Sequence, residues 1–143
     1  MPPALLTAIA VLLEGVSRKD LALRADRLSA AYRKGGTSVI VADQADALAY
    51  LVTRLPATYA TLRAVLGRVM EVTPDFMPAS LMDVGAGPGT AAWAARDLWP
   101  SLGTTLVEPN AIFRTLAAKL MPDAEFIAGG LDAKIPHADL VVA

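Results

Sequence analysis

A cluster of glycines directly after an apolar run is the feature that most limits how this chain can fold. The stretch LMDVGAGPGTA, residues 81–91, places Gly85, Gly87 and Gly89 at alternate positions. Glycine costs about 0.5–1 kcal/mol relative to alanine inside regular structure, so three close together require a reason. The apolar run before them and the alanine-rich run after them predict a strand, a tight turn and a helix.

The pattern around this turn predicts an α/β fold with an open sheet. Short apolar runs alternate with helical segments from residue 80 to residue 143. The predicted strands are SLMDV, GTTLVE, AEFIA and ADLVVA, and the predicted helices are GTAAWAARDLW and NAIFRTLAAKLM. Such alternation implies right-handed parallel crossovers. We therefore expect the glycine turn at the carboxyl edge of the strands, where this architecture binds ligands.

The residues before the sheet predict a helical domain of about four helices. PPALLTAIAVLLEGV is the first, and Ser17 with Asp20 resembles a capping box for the second. TSVIVA is either a short strand or a connector. Asp43 is expected to cap QADALAYLVTRL, and Pro56 to begin a separate helix, PATYATLRAVLGRVMEV.

The proline-containing segment TPDFMPAS marks the boundary between the two parts of the chain. The prediction is a helical domain over residues 1–76 and a partial Rossmann-like domain over residues 77–143. Residues 1–78 hold nine lysines and arginines against seven acidic residues, and residues 79–143 hold four against seven. This mildly basic front half is compatible with nucleic acid, but it is too weak to indicate nucleic acid by itself.

Composition excludes several classes of site. The chain has no cysteine and one histidine, so we expect no disulfide, no thiolate metal centre and no metal site of another kind. No apolar run approaches the ~20 residues that span a bilayer, and the N-terminus lacks the basic region of a signal peptide. These features predict a cytoplasmic chain with no membrane partner.

The spacing around the glycines narrows the choice of ligand. A dinucleotide-binding loop favours glycine or alanine at position 90, where this chain has Thr90. Asp83 precedes the glycines, and Glu108 ends the next predicted strand, where an acid would accept hydrogen bonds from ribose hydroxyls. A turn without a ligand and a site for a different nucleotide remain alternatives.

The combination of DVGAGPGT and LVEPN resembles the class I S-adenosylmethionine-dependent methyltransferases. The resemblance implies S-adenosylmethionine as the cofactor and a sheet of the Rossmann-like kind. The implied positions are Asp83, Gly85, Ala86, Gly87 and Gly89 at the amino-acid end of the cofactor, Glu108 at its ribose, and Asp132 at its adenine amino group.

A longer stretch is similar to the small-ribosomal-subunit methyltransferase-like family of bacteria and mitochondria. RLPATYATLRAVL leading into PASLMDVGAGPGTAAWAA is its most distinctive part. The resemblance implies the small ribosomal subunit or its RNA as the partner. The first candidates for phosphate contacts are Arg24, Arg27, Lys34, Arg54 and Arg63. For each of them an ordinary solvated surface position is the alternative.

The sheet pattern stops inside its fourth strand, whereas the resemblance implies seven. We therefore expect a truncated sheet whose uncovered edges and faces favour self-association. No residue stands out as a catalytic base, since His137 lies beside a proline without an orienting partner. Two functions remain open: a methyltransferase acting on ribosomal RNA or a small-subunit component, and a non-catalytic assembly or RNA-binding factor with a methyltransferase-like fold.

Overall fold

The computed structural model describes residues 1–35, 40–131, 133 and 136–143. Two sequence predictions fall on residues outside this set. They are the adenine contact of Asp132 and the choice between strand and connector for the first part of TSVIVA.

Three helices precede the sheet in the described part of the chain: α1 (Pro3–Leu12), α2 (Arg18–Arg33) and α3 (Gln44–Val72). Both predicted N-caps are confirmed. The Ser17 side chain accepts a hydrogen bond from the Asp20 amide at 3.3 Å, and the Asp43 side chain accepts one from the Asp46 amide at 2.8 Å. Each cap satisfies an amide that the first turn of a helix leaves without a partner.

The prediction of a separate helix beginning at Pro56 is wrong. Pro56 lies inside the continuous helix α3, and its ring is exposed to solvent. Leu51 and Leu55 before it, and Tyr59 and Leu66 after it, are all buried. Burial of one face on both sides of the proline therefore outweighs the lost hydrogen bond and the ring clash, which cost ~3 kcal/mol.

The predicted α/β sheet is confirmed. Its four described strands are parallel and lie in the order β3-β2-β1-β4. The elements are β1 (Ser80–Val84), α4 (Thr90–Arg96), β2 (Gly103–Val107), α5 (Ala111–Leu120), β3 (Glu125–Ile127) and β4 (Leu140–Val142). The chain moves outward from β1 through β2 to β3 and returns to pair β4 on the other side of β1. The carboxyl end of β1 is therefore a topological switch point, where ligands bind in open α/β sheets.

The helices before the sheet share a hydrophobic core with it. Leu81 of β1 and Leu106 of β2 belong to the same buried cluster as Leu55 and Leu66 of α3. The opposite face of the sheet buries a smaller cluster of Met82, Val84 and Val107. The proposed boundary near residue 76 stays a prediction, but the packing joins the two parts through apolar contacts.

Candidate cofactor site

The glycine turn adopts a backbone conformation that other residues rarely take. Gly85, Gly87 and Gly89 have φ angles of +74°, +54° and +80°. The amides of Gly85 and Ala86 both donate to the Val107 carbonyl, at 2.8 and 3.2 Å, which fixes the turn to the end of β2. This turn needs glycine because side chains disfavour the left-handed region.

The glycines of this turn differ in what surrounds them. A Cβ atom built on Gly85 or Gly87 would meet nothing within 4 Å, whereas one on Gly89 would lie 3.2 Å from Cδ1 of Leu106. The first two therefore border open space at the edge of the sheet. Gly89 instead allows α4 to begin close against β2.

Glu108 is buried at the end of β2, with 2% of its surface exposed. Its Oε2 accepts a hydrogen bond from the Gly87 amide, and its Oε1 accepts one from the Asn110 amide, both at 2.8 Å. A carboxylate offers about four acceptor positions, so both oxygens retain capacity for ligand hydroxyls. The sequence prediction of an acid at this place is thus joined to the glycine turn by a direct contact.

Asp83 is buried next to the turn, and its Oδ2 has no hydrogen-bond partner in the described structure. Burial raises the pKa of the Asp83 carboxyl to about 7; the Ala92 amide lowers that pKa and the nearby Glu108 raises it. Buried polar atoms are almost always paired in native proteins. An unpaired carboxylate oxygen beside a cavity is therefore suited to a donor group of a ligand.

Two adjoining cavities lie above these residues. The larger, about 420 Å³, is lined by Gly85, Gly87 and Glu108 on the sheet side. The smaller, about 230 Å³, is lined by Asp83 and Thr90 and shares Gly85 and Gly87 with the larger. The larger volume lies in the ~300–1,000 Å³ range of small-molecule sites.

Two tyrosines of the helical part form a wall of the larger cavity. The ring centroids of Tyr32 and Tyr50 are 5.9 Å apart, and Tyr50 meets Phe113 edge-on at 5.0 Å. Burial raises the pKa of the Tyr32 hydroxyl to about 12, so it stays neutral near pH 7. Only the packing of α2 and α3 over the sheet brings the two tyrosines to the cavity.

The cofactor candidates in the described chain converge, and their role in binding stays a prediction. Asp83, Gly85, Ala86, Gly87 and Glu108 all line one or both cavities. Gly89 sits behind them, against β2.

The five basic candidates for RNA contacts do not form one patch. Arg24 donates to Asp20, Asp43 and Asp46, and Arg27 also pairs with Asp46. That cluster carries three acids against two arginines, which disfavours a phosphate.

The other three basic candidates lie apart from that cluster. Arg63 pairs with Asp97 of the sheet part at 2.8 Å. Lys34 is exposed at the end of α2, and the Arg54 guanidinium lies 5.2 Å from the centroid of the Tyr32 ring. Contact of any of these residues with RNA stays a prediction.

The chain is similar in fold to solved structures of methyltransferases. Two structures of the plantazolicin methyltransferase BpumL in complex with SAH are similar to the chain. One has a TM-score of 0.56 at 17% identity and covers 92% of this chain and 49% of that chain. The other has a TM-score of 0.53 at 20% identity and covers 64% and 37%. The likeness shows that the fold is the class I methyltransferase fold.

Sequence comparison gives the family. The human ribosome assembly protein METTL17, mitochondrial, is 31% identical over 90 residues, which make up 63% of this chain and 19% of that protein. The chain thus matches about a fifth of this relative's length. Residues 44–127, from the start of α3 to the end of β3, match the family described as mitochondrial small ribosomal subunit Rsm22. That match covers more than half of the chain and includes the glycine turn and Glu108, and the chain therefore belongs to the Rsm22 family.

Proposed function

We propose that the chain binds S-adenosylmethionine between the glycine turn and Glu108, as part of a protein that methylates ribosomal RNA or another component of the small ribosomal subunit. The observation that carries the cofactor proposal is the contact between Glu108 and Gly87 at the switch point of a methyltransferase fold. The turn faces open space, and the carboxylate keeps acceptor capacity beside it.

The residues present fit this cofactor. Glu108 would hold the ribose hydroxyls, the Gly85 and Gly87 backbone would pass beside the amino-acid part, and the unpaired oxygen of Asp83 would accept from its ammonium group. When bound, S-adenosylmethionine supplies an electrophilic methyl group on a sulfonium. Tyr32 and Tyr50 line the cavity from the helical side.

The chain's contribution to methyl transfer would be positioning. Binding two reactants in line lowers a barrier without a proton-transfer group. His137 is exposed, and among the described residues it is not brought to either cavity.

A second function is favoured by the name of the human relative, a ribosome assembly protein. In that case the same fold would bind the small subunit, with or without the cofactor, and transfer no methyl group. The two functions share the cavity and differ in turnover.

Calorimetry with S-adenosylmethionine and S-adenosylhomocysteine tests the cofactor proposal. We expect the chain to bind both, and Glu108→Gln to weaken binding at least tenfold, since the amide loses acceptor capacity. Glu125→Gln is the matched control, because Glu125 is exposed on β3 away from both cavities. Absence of binding by the unaltered chain and by the whole protein would overturn the cofactor proposal.

Transfer of a radiolabelled methyl group to purified small subunits then separates the two functions. Label in the ribosomal RNA or in a subunit protein supports the methyltransferase. Cofactor binding without transfer by the whole protein supports the assembly factor.

Two further predictions concern location and assembly. None of the helices in the described part of the chain combines the length and apolar character that a membrane crossing requires. The predicted cytoplasmic location stays a prediction, because the human relative is mitochondrial. Self-association through uncovered faces of the sheet also stays a prediction.

A further inference from the structure

The arginines of the described chain fall into two groups. Most are neutralised by nearby acids or bind carbonyl oxygens; these are Arg24, Arg27, Arg63, Arg68, Arg96 and Arg114. Arg18, Arg33 and Arg54 form no ion pair with another described residue. Arg18 lies at the first turn of α2, whereas Arg33 and Arg54 line one cavity.

This cavity, which we call the Tyr32–Arg54 pocket, has a volume of about 410 Å³ and is lined by Tyr32, Arg33, Tyr50, Arg54 and Thr58. The lining holds two arginines, two tyrosines and a threonine, and no acid. It is open at the surface, since Arg33 and Thr58 are exposed. The Arg54 guanidinium lies 5.2 Å from the Tyr32 ring centroid, a cation–π distance that holds it over the aromatic surface.

The pocket adjoins the candidate cofactor site. Tyr32 and Tyr50 line both the pocket and the larger cavity that contains Glu108. A group bound in the pocket would therefore contact the same two tyrosines that line the candidate cofactor site. No other pair of unneutralised arginines in the described chain has this placement.

We propose that the Tyr32–Arg54 pocket binds a nucleotide of single-stranded RNA; that this RNA carries the methyl acceptor rests on the proposed function of the adjoining cavity. Arg33 and Arg54 supply charge for a phosphodiester, and the Arg54 guanidinium, which lies over the Tyr32 ring, supplies a planar stacking surface for a base. Single-stranded RNA is recognised by this pairing of aromatic or guanidinium planes with basic side chains. An acidic peptide would use the charges but would not stack on the guanidinium plane.

The pocket also changes which basic residues are candidates for RNA contacts. Arg24, Arg27 and Arg63 have carboxylate partners inside the protein, so a phosphate would have to compete with those acids. Arg33, which sequence reasoning did not select, has no such competitor among the described residues. Arg54 is the one earlier candidate that lines this pocket.

Fluorescence anisotropy with a short labelled single-stranded RNA of mixed sequence tests the proposal on the 143-residue chain. We expect Arg33→Ala/Arg54→Ala to weaken binding at least tenfold. Its slope of log affinity against log salt should be shallower by about 0.7, the contribution of one phosphate contact in a single strand. Arg18→Ala/Lys19→Ala removes the same charge from the other end of α2 and should change affinity less than twofold.

Three results would overturn the proposal that the pocket binds RNA. The first is no RNA binding by the unaltered chain, and the second is an equal loss of RNA affinity in the two double variants. The third is displacement of the RNA by polyglutamate as readily as by unlabelled RNA. Arg33→Glu is the second variant if the double variant fails to fold, because Arg33 is exposed; it should also weaken binding at least tenfold, and an unchanged affinity counts against the pocket. Calorimetry with S-adenosylmethionine on the unaltered chain keeps the two proposals apart. Cofactor binding without RNA binding rejects only the pocket, and RNA binding without cofactor binding rejects only the cofactor site.

Discussion

Gly87 determines both the backbone conformation of the glycine turn and the space open to a ligand beside it. Its φ of +54° lies in the left-handed region, and its amide donates to the buried Glu108 carboxylate at 2.8 Å. A side chain at this position would be strained and would also project into open space beside the cavity. Stability and cofactor binding should therefore respond together at this residue.

We expect Gly87→Ala to lower the free energy of unfolding by about 1–2 kcal/mol, because alanine is strained at this φ. Cofactor binding should be lost in calorimetry, because the methyl group projects into the open space that the cofactor would occupy. Gly67→Ala is the matched control, since Gly67 lies within α3 and its added methyl would meet only the flexible Arg63 side chain, at 3.3 Å. That control should gain about 0.5–1 kcal/mol and bind normally. An equal gain in Gly87→Ala would contradict the strained turn.

Asp83 should make the free energy of unfolding decrease as the pH rises. Burial raises the pKa of this carboxyl from 3.8 to about 7, so between those values the folded state holds a proton that the unfolded state has lost. Stability should therefore fall as the pH rises from about 4 to 7. Asp83→Asn should remove this fall, and at pH 8 it should be more stable than the unaltered chain by on the order of 4 kcal/mol. Urea unfolding of both proteins at pH 5 and pH 8 measures the difference, and parallel pH profiles would refute the raised pKa.

Residue-scale prediction from sequence worked where the signal was local. The glycines and Glu108 follow strands directly, so their meeting at the carboxyl edge followed from chain order alone. Tyr32, Tyr50 and Arg33 reach the cavities only because α2 and α3 pack over the sheet. No spacing along the chain relates these residues to Glu108, so sequence reasoning did not select them.

Helices α2 and α3 are joined by a buried acid at the start of α3. Asp46, 1% exposed, accepts from the Arg24 side chain at 2.7 Å, from Arg27, and from the Ala42 amide at 3.1 Å. Burial raises the pKa of the Asp46 carboxyl, but its hydrogen bonds from Arg27, Arg24 and Ala42 outweigh burial and hold the pKa below its usual value. Arg24 and Arg27, which the sequence suggested as candidates for phosphate contacts, thus stabilise the packing of two helices.

We expect Asp46→Ala to lower the free energy of unfolding by about 2–4 kcal/mol, because Arg24 and Arg27 lose a buried partner. Asp26→Ala is the control, since Asp26 is an exposed acid of α2, and it should change stability by less than about 0.5 kcal/mol. Thermal and urea unfolding give both values. Similar small losses of unfolding free energy in the two variants would show that the ion pairs of Asp46 contribute little to stability.

The elements themselves were largely predictable, with one instructive failure. The predicted strand SLMDV coincides with β1. The observed β2 (Gly103–Val107) and α5 (Ala111–Leu120) differ from their predicted ranges only at the ends. Short apolar runs bounded by glycine or proline carry a local signal for strands. Pro56 carried an equally local signal for a helix start, but burial of α3 against the rest of the protein decided the outcome. Tertiary packing is not encoded in a short window.

On the scale of the whole molecule, the helical part completes a site that the sheet begins. The sheet supplies the glycine turn and Glu108, and α2 and α3 supply the aromatic wall above them. Tyr59 of α3 donates to Asp97 at 2.9 Å, and Arg63 donates to the same carboxylate at 2.8 Å, which fixes α3 beside the end of α4. The position of the wall therefore depends on contacts between the two parts of the chain.

This arrangement predicts that both parts unfold together. The chain has two tryptophans, Trp93 and Trp99, which both report on the sheet part, whereas far-UV circular dichroism is dominated by the longer helices α2 and α3. We expect the urea transitions seen by tryptophan fluorescence and by circular dichroism to coincide, because a shared core makes unfolding cooperative. Asp97→Ala should shift both curves equally, by about 1–2 kcal/mol, since it removes the hydrogen bonds from Tyr59 and Arg63. Two separate transitions would instead identify residues 1–76 and 77–143 as independent domains, and the aromatic wall would then be a mobile cover over the glycine turn.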